Sequence, residues 1–300
     1  MLFNISNERC GGEPEPPEVD LMPAREAMVG GTAVRRALPR RQRRTVGAWC
    51  FADHFGPAGP PGSMQVGPHP HTGLHTVTWL VEGEVLHRDS LGSEQPIRPG
   101  QLNLMTAGRG VAHAEETDSD FGGLLHGVQL WVAQPEATRH GGAAFEHHVD
   151  LPRVAFGPAV VTVLVGRIGD ARSPARADSP IVGAEVVTGR GSSVVPLEAA
   201  FEHALLVLDG VVSVGGVDVV PGVLAYLGEG RDELALSSRG SARAMLLGGE
   251  PMDEQIVMGW NFVGRSRDEV VQAGLDWNAG HERFGTVASP LDRIPAPARF

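Results

Sequence analysis

The chain has no lysine, only two cysteines and no long hydrophobic run, and each scarcity narrows the range of possible functions. Without lysine every fixed positive side chain is an arginine, a bias that identifies no function. Arginines are outnumbered by 36 acidic residues, leaving a formal net charge of -11. That balance argues against general affinity for phosphate backbones or anionic membranes, which rests on neutralising phosphates with basic side chains. Neither nucleic acid nor membrane is expected as a direct partner. Cys10 and Cys50 cannot build a disulfide framework and fit a reducing compartment. The start, Met1 to Arg9, has no basic segment leading into an apolar one, and nowhere do about eighteen apolar residues run together. A cytoplasmic location is therefore expected.

What is present points to β-structure. The 300 residues, 42% apolar and 20% charged, suffice for two domains with real cores. Forty glycines and 23 prolines punctuate short β-branched runs, which predicts an all-β fold of short strands and tight turns. Val77–Val81 reads as a strand, Glu82-Gly83 as a turn and Glu84–Asp89 as its hairpin partner. Gln101–Met105 alternates so that Leu102 and Leu104 share a face, and His126–Val132 is a further strand. The second half repeats this grammar: Ala204–Leu208, an Asp209-Gly210 turn, Val211–Val214, a Gly215-Gly216 turn, and Val223–Leu227 after Pro221-Gly222. Two related β-barrels or sandwiches are implied, divided near Asp150–Pro152 into units 1–150 and 151–300. The polar loop Gly169–Pro180 falls inside the second, between strand-like runs at Val160–Val165 and Ile181–Val187. Near the end, Ser266-Arg267-Asp268-Glu269 has capping-box spacing, with Val270, Ala273, Gly274 and Trp277 on one face of the helix behind it.

Chemistry concentrates in the first half, where ten of the twelve histidines lie between His54 and His148. His69 and His71 sit two apart in Gly-Pro-His-Pro-His; His113 and Glu115 sit two apart after a Gly-rich turn. On a strand, residues two apart project to the same face, so two strands can deliver four ligands to one point. Three imidazoles and a carboxylate without thiolate suit Fe(II), Mn(II), Ni(II), Cu(II) or Zn(II), with positions left open for substrate. Other motifs are weaker. The six arginines between Arg35 and Arg44 are interrupted by Ala37-Leu38-Pro39 and read as a solvated hairpin bordering the barrel. Arg109 could reach an anionic substrate, although the glycines around it are explained by a tight turn. Gly248-Gly249 lacks the Lys-Ser/Thr ending of a phosphate-binding loop.

The stretch Gly67–Gly73 together with Met105–Glu115 resembles the signature of the pirins, bicupin proteins of the cupin superfamily. Val34–Pro39, Arg43–Gly47, Asp53–Pro57, Leu130–Val132 and Leu246–Pro251 are similar to pirin sequence as well, so the likeness runs from about Val34 to Trp277. It implies two tandem cupin barrels, with His69, His71, His113 and Glu115 holding one divalent ion, most often Fe(II), with Mn, Ni, Cu, Co or Zn as alternatives. It also implies a second barrel that has lost its ligands. The activity implied is that of a quercetin 2,3-dioxygenase acting on a flavonol-type aromatic substrate and O2, with Glu115 both ligand and transient base. The alternative is a metal-responsive regulator acting through a protein partner; another cupin reaction, such as isomerisation or decarboxylation, is a third option. One departure stands out: His75 occupies a place where pirins commonly carry glutamate. On an unbroken strand it would share the parity of His69 and His71 and face the same cavity. Trp79, Leu104, Met105 and Trp131 are candidates for the cavity wall or equally for core packing.

Overall fold

The computed structural model describes residues 19–29, 31–58, 64–117 and 123–298; Cys10 and the segment Met1–Arg9 lie outside them. The first half contains β1 (Asp20–Pro23), β2 (Arg25–Val29), β3 (Thr32–Leu38), β4 (Trp49–Ala58), β5 (Gln65–His71) and β6 (Leu74–Glu82). It continues with β7 (Val85–Asp89), β8 (Glu94–Ile97), β9 (Leu102–Thr106), β10 (Val111–Glu116), β11 (Leu125–Ala133) and β12 (Ala144–His148). The second half contains β13 (Arg153–Phe156), β14 (Ala159–Val165), β15 (Arg167–Ile168), β16 (Ala171–Arg172), β17 (Ile181–Thr188) and β18 (Gly191–Pro196). There follow β19 (Glu202–Asp209), β20 (Val212–Val214), β21 (Val217–Val219), β22 (Val223–Gly228), β23 (Glu233–Ser238) and β24 (Ala242–Gly249). The tail adds β25 (Val257–Gly259), β26 (Phe262–Gly264) and helix α1 (Arg267–Asn278).

These strands form two barrels of one design, as the all-β expectation requires. In the first, a seven-stranded sheet in the order β12-β9-β6-β11-β4-β3-β2 faces a four-stranded sheet β5-β10-β7-β8. In the second, β1-β22-β19-β24-β17-β14-β13 faces β18-β23-β20-β21. Both ends of the described chain cross over. Strand β1 pairs with β22 of the second barrel, whereas the tail returns to the first, where Phe262, Val270, Trp277 and Phe284 pack on Ala112.

The expected hairpin between Val77–Val81 and Glu84–Asp89 does not form. Strand β6 pairs with β9 and β11 in the large sheet, while β7 pairs with β8 and β10 in the small one, so the turn at Gly83 crosses between sheets. The Asp209-Gly210 turn does the same between β19 and β20. A tight turn marks where a strand stops, but whether the next strand stays beside it depends on which face must be buried. By contrast β20 and β21, joined at Gly215-Gly216, make a simple hairpin.

The two large sheets pack face to face. Alternation puts Val77 and Trp79 of β6, with Leu102 and Leu104 of β9, against Leu206, Leu224 and Leu247 of the second barrel. Each such side chain contributes about 1.5–3 kcal/mol when fully buried. Trp49 anchors the joint, its indole N–H donating to the carbonyls of Val182 (3.0 Å) and Gly248 (3.1 Å). The arginine run also departs from a solvated hairpin. Arg36 forks onto Asp53, and Arg43 stacks on the Tyr226 ring and reaches Glu202 of the second barrel.

Helix α1 starts as its sequence predicts: Ser266 caps it by accepting from the Glu269 N–H, and Val270, Ala273, Gly274 and Trp277 are its buried face. The Glu269 carboxylate does not return to the Ser266 N–H; it accepts from the Arg265 N–H and from Arg139 instead. No helix among the described residues is long and apolar enough to cross a membrane.

Candidate metal centre

Strands β5 and β10 run antiparallel, with His113 opposite His69 and Val111 opposite His71. That register and the two-residue parity turn His69, His71 and His113 into the barrel. One ring nitrogen from each lies within 4.8 Å of the other two. All three rings are buried. Burial holds His69 down to about 4 and His71 and His113 well below the usual imidazole range, so all are neutral near pH 7.

The hydrogen-bond partners settle which nitrogen of each ring is bare. His69 Nδ1 lies 2.9 Å from the Gly67 carbonyl and His71 Nδ1 lies 3.1 Å from the Asn261 carbonyl. A carbonyl only accepts, so both Nδ1 atoms carry the proton and both Nε2 atoms present a lone pair. Behind His113 stand His87 and Asp89. His87 Nε2 is 3.1 Å from Asp89 Oδ2, and His87 Nδ1 is 3.3 Å from His113 Nδ1. With His87 Nε2–H donating to the carboxylate, His87 Nδ1 accepts from His113 Nδ1–H, which leaves His113 Nε2 bare as well. His71 Nε2 and His113 Nε2 are then 3.0 Å apart with lone pairs facing. A cation relieves that arrangement, and three neutral imidazoles are a donor set that suits a divalent transition metal.

Glu115 is displaced from this group. A bulge between His113 and Glu115 sets Glu115 opposite Val66, so β5 uses three residues where β10 uses two. Its carboxylate does not join the 4.8 Å cluster, although Glu115 lines the same cavity. Thr78 Oγ1 is 3.4 Å from Glu115 Oε1 and 2.9 Å from Gln129 Oε1. One hydroxyl proton serves one acceptor at a time, so Glu115 is loosely held. Burial raises its pKa, as expected of a carboxylate with no full positive partner.

The cavity measures about 500 Å³. Its walls show period two: Phe51, Asp53 and Phe55 of β4, Gln129 and Trp131 of β11, Val34 and Arg36 of β3. Phe51 and Trp131 stack with centroids 4.0 Å apart, and Trp131 meets the His71 ring edge-on at 5.1 Å. The tail closes one side with Met258, Gly259, Trp260, Asn261 and Ile294. Trp260 adopts φ 51°, a left-handed conformation costly for a bulky residue.

The structure places several residues whose role the sequence left open. His75 does not face this cavity. Strand β5 ends at His71, Gly73 turns with φ 69°, and β6 begins at Leu74, so parity is not carried across. His75 instead contacts Thr106 Oγ1 at 2.9 Å and Asp178 Oδ2 at 3.1 Å, tying the barrel to the Gly169–Pro180 loop. Of the wall candidates only Trp131 lines the cavity. Trp79 and Leu104 lie in the core between barrels, and Met105 packs in the apolar cluster that holds Phe51 and Trp131. Arg109 lies at a separate groove beside α1. Cys50 is buried with its thiol pushed up to about 12, which removes it as a thiolate ligand.

The residues that sequence reasoning missed are His87, Asp89 and Asn261. A signal for the first two existed, since His87-Arg88-Asp89 has the same two-residue spacing as the ligand pairs. Nothing local marks Asn261, which contributes a backbone carbonyl from 190 residues away.

Comparison with known proteins gives the same placement. The Pirin family model matches residues 31–132 and the Pirin C-terminal cupin domain model matches residues 187–285. A Pseudomonas aeruginosa protein named "Putative quercetin 2,3-dioxygenase" is 48% identical over 91% of this chain and 88% of its own length. A pirin-like protein of Caulobacter vibrioides is 37% identical over 87% of this chain and 93% of its own. The crystal structure of a quercetin 2,3-dioxygenase from Acinetobacter baumannii superposes with a TM-score of 0.90 at 40% identity, covering 93% of this chain and 95% of that one. With both barrels matched and relatives aligned along most of their length, the chain belongs to the pirin family.

Proposed function

We propose that this protein is a metal-dependent dioxygenase of the quercetin 2,3-dioxygenase type. The observation that carries the reading is the set of three bare imidazole nitrogens opening into an aromatic-walled cavity; the names of the relatives support it. His69, His71, His113 and Glu115 would hold a divalent ion, Fe(II) first among the candidates, which when bound supplies a Lewis acid and an O2-reactive centre.

The chain's own residues do the rest. His87 and Asp89 hold His113 in the tautomer that leaves Nε2 free, and the Gly67 and Asn261 carbonyls do the same for His69 and His71. Phe51 and Trp131 form a stacked aromatic wall against which a flat flavonol ring lies, and Phe55, Val34 and Ile294 exclude water. The Trp131 indole N–H is buried without a partner and is free to donate to a substrate oxygen. Asp53 also lines the cavity, but its carboxylate is engaged by the Arg36 fork at 2.7 Å. Glu115, loosely held, is therefore the carboxylate able to take the substrate hydroxyl proton.

The test is O2 uptake with quercetin by protein loaded with Fe(II), Mn(II), Ni(II), Co(II) or Cu(II), with His113→Ala as control. Metal-dependent uptake that disappears in the variant is the expected result. Stoichiometric metal without uptake on any aromatic diol overturns the enzymatic reading in favour of a regulator, and failure to bind metal overturns both.

A further inference from the structure

The second barrel has kept an opening where it has lost its ligands. Strand order equates β18 with β5, β17 with β4, β19 with β6 and β24 with β11. In the first barrel Trp131 pairs with both Phe51 and Thr76; in the second Gly248 pairs with both Val182 and His203. His203 and Gly248 are thus direct neighbours across β19 and β24, the strands that correspond to β6 and β11. A Cβ on Gly248 would stand 2.5 Å from His203 Cδ2, so this glycine is what makes room for the imidazole. At this end of the barrel lies a cavity of about 550 Å³, bounded by the end of β18, the start of β17 and His203.

The polar groups in this cavity are unspent. His203 is fully buried, and neither ring nitrogen makes a hydrogen bond of acceptable geometry; the Phe201 backbone is near enough only to oppose part of the effect of burial. Ser179 Oγ, also buried, has no partner either. An unpartnered buried polar atom is destabilising, and two such side chains lining one cavity call for a common partner. At the rim, Arg172 stands directly opposite Arg167 on the β15–β16 pair, an unfavourable juxtaposition of like charges. Arg167 lies 3.7 Å from Glu198, whereas Arg172 has no ion-pair partner among the described residues; Asp170 is the other charge on the rim.

We infer that His203, Ser179 and Arg172 form a binding site for a small monocarboxylate with an apolar body, at the open end of the second barrel. All three can donate to one carboxylate; Arg167 is engaged by Glu198, so Arg172 is the one rim arginine left to meet a negative charge, and Asp170 on the same rim weighs against the second charge of a phosphate. Ile181 and Phe201 among the lining residues supply an apolar wall for the body of the ligand.

Calorimetric titration of the whole metal-loaded chain with benzoate tests this, with benzamide and inorganic phosphate as comparison probes. Saturable benzoate binding is expected, weakened about tenfold or more in Arg172→Ala and in His203→Leu, the size of one lost charge-assisted hydrogen bond. It should be unchanged in His113→Ala, which alters only the first barrel. No saturation up to about 10 mM, the weak end of specific affinity, overturns the inference. So does equal binding of benzamide, tighter binding of phosphate, or binding lost in His113→Ala but kept in Arg172→Ala. Should His203→Leu not fold, Arg172→Ala and Ser179→Ala decide on the same criteria.

Discussion

The two barrels share one strand order and differ in what their interior positions carry. In the first, the paired strands β5 and β10 turn His69, His71 and His113 inward and keep a cavity open beside them. In the second, the corresponding β18 and β23 turn Ser193, Val195, Leu234 and Leu236 inward, and the last three join an apolar core with Val161, Leu205 and Leu246. Backbone topology therefore provides positions, and side chains determine whether a position is stabilising or reactive. Converging imidazoles forgo the burial free energy that Val and Leu gain, so the first barrel draws stability from elsewhere. The returning tail, the interface with the second barrel and the Arg36–Asp53 fork are the visible sources.

The comparison breaks most sharply at His113. Replacing it with alanine should abolish stoichiometric metal binding, read by metal analysis, with little change in the circular dichroism of either barrel. If metal stays bound, the three-imidazole assignment is wrong. The matching change in the second barrel, Leu236→Ala, should leave metal content intact while lowering unfolding free energy by about 2–5 kcal/mol in urea, as core truncations do.

A third experiment uses pH. Burial first, and the Arg231 charge second, hold His203 down to about 4, against 6.5 for a free imidazole. Below pH 6.5 the unfolded chain therefore binds more protons than the folded one, and stability falls as pH drops from 6.5 towards 4. At about 1.4 kcal/mol per unit, His203→Leu should reduce the loss of stability between pH 7 and pH 4 by about 3 kcal/mol. An unchanged pH profile would show that His203 has a partner in solution.

The smallest effect is expected behind the three-imidazole cluster. His87→Phe or Asp89→Asn frees the His113 tautomer and should weaken Ni(II) or Co(II) affinity by about 10–100-fold, with folding intact. Wild-type affinity in both variants would mean that the His87–Asp89 pair is only packing. The corresponding strand β20 has Val212, Ser213 and Val214 and no such pair, so changes there should leave metal affinity untouched.

Much of this organisation is legible in the sequence because it is local. Alternation and glycine spacing announce the strands, Ser266 announces the helix, and the two-residue spacing of His69 with His71 places both rings on one face. The same spacing misleads where the strand is interrupted. Gly73 breaks the parity that would aim His75 into the cavity; the bulge beside His113 moves Glu115 along the strand but leaves it on the wall of the same cavity. The Gly83 turn is also legible, but the sheet to which β7 belongs is not, and for that reason the His87–Asp89 pair goes unrecognised.

Sequence by itself determined the all-β class, the terminal helix and the identity of the three imidazoles, since these follow from side-chain period and turn chemistry over a few residues. Only the tertiary structure decided which nitrogen each imidazole presents, that Asn261 serves His71, that the tail closes the first barrel, and that His203 lies at the mouth of the second. Those features depend on contacts between residues far apart in the chain, such as His71 with Asn261 and His75 with Asp178. Such contacts are selected by which faces can be buried together, a condition that no short stretch of sequence contains.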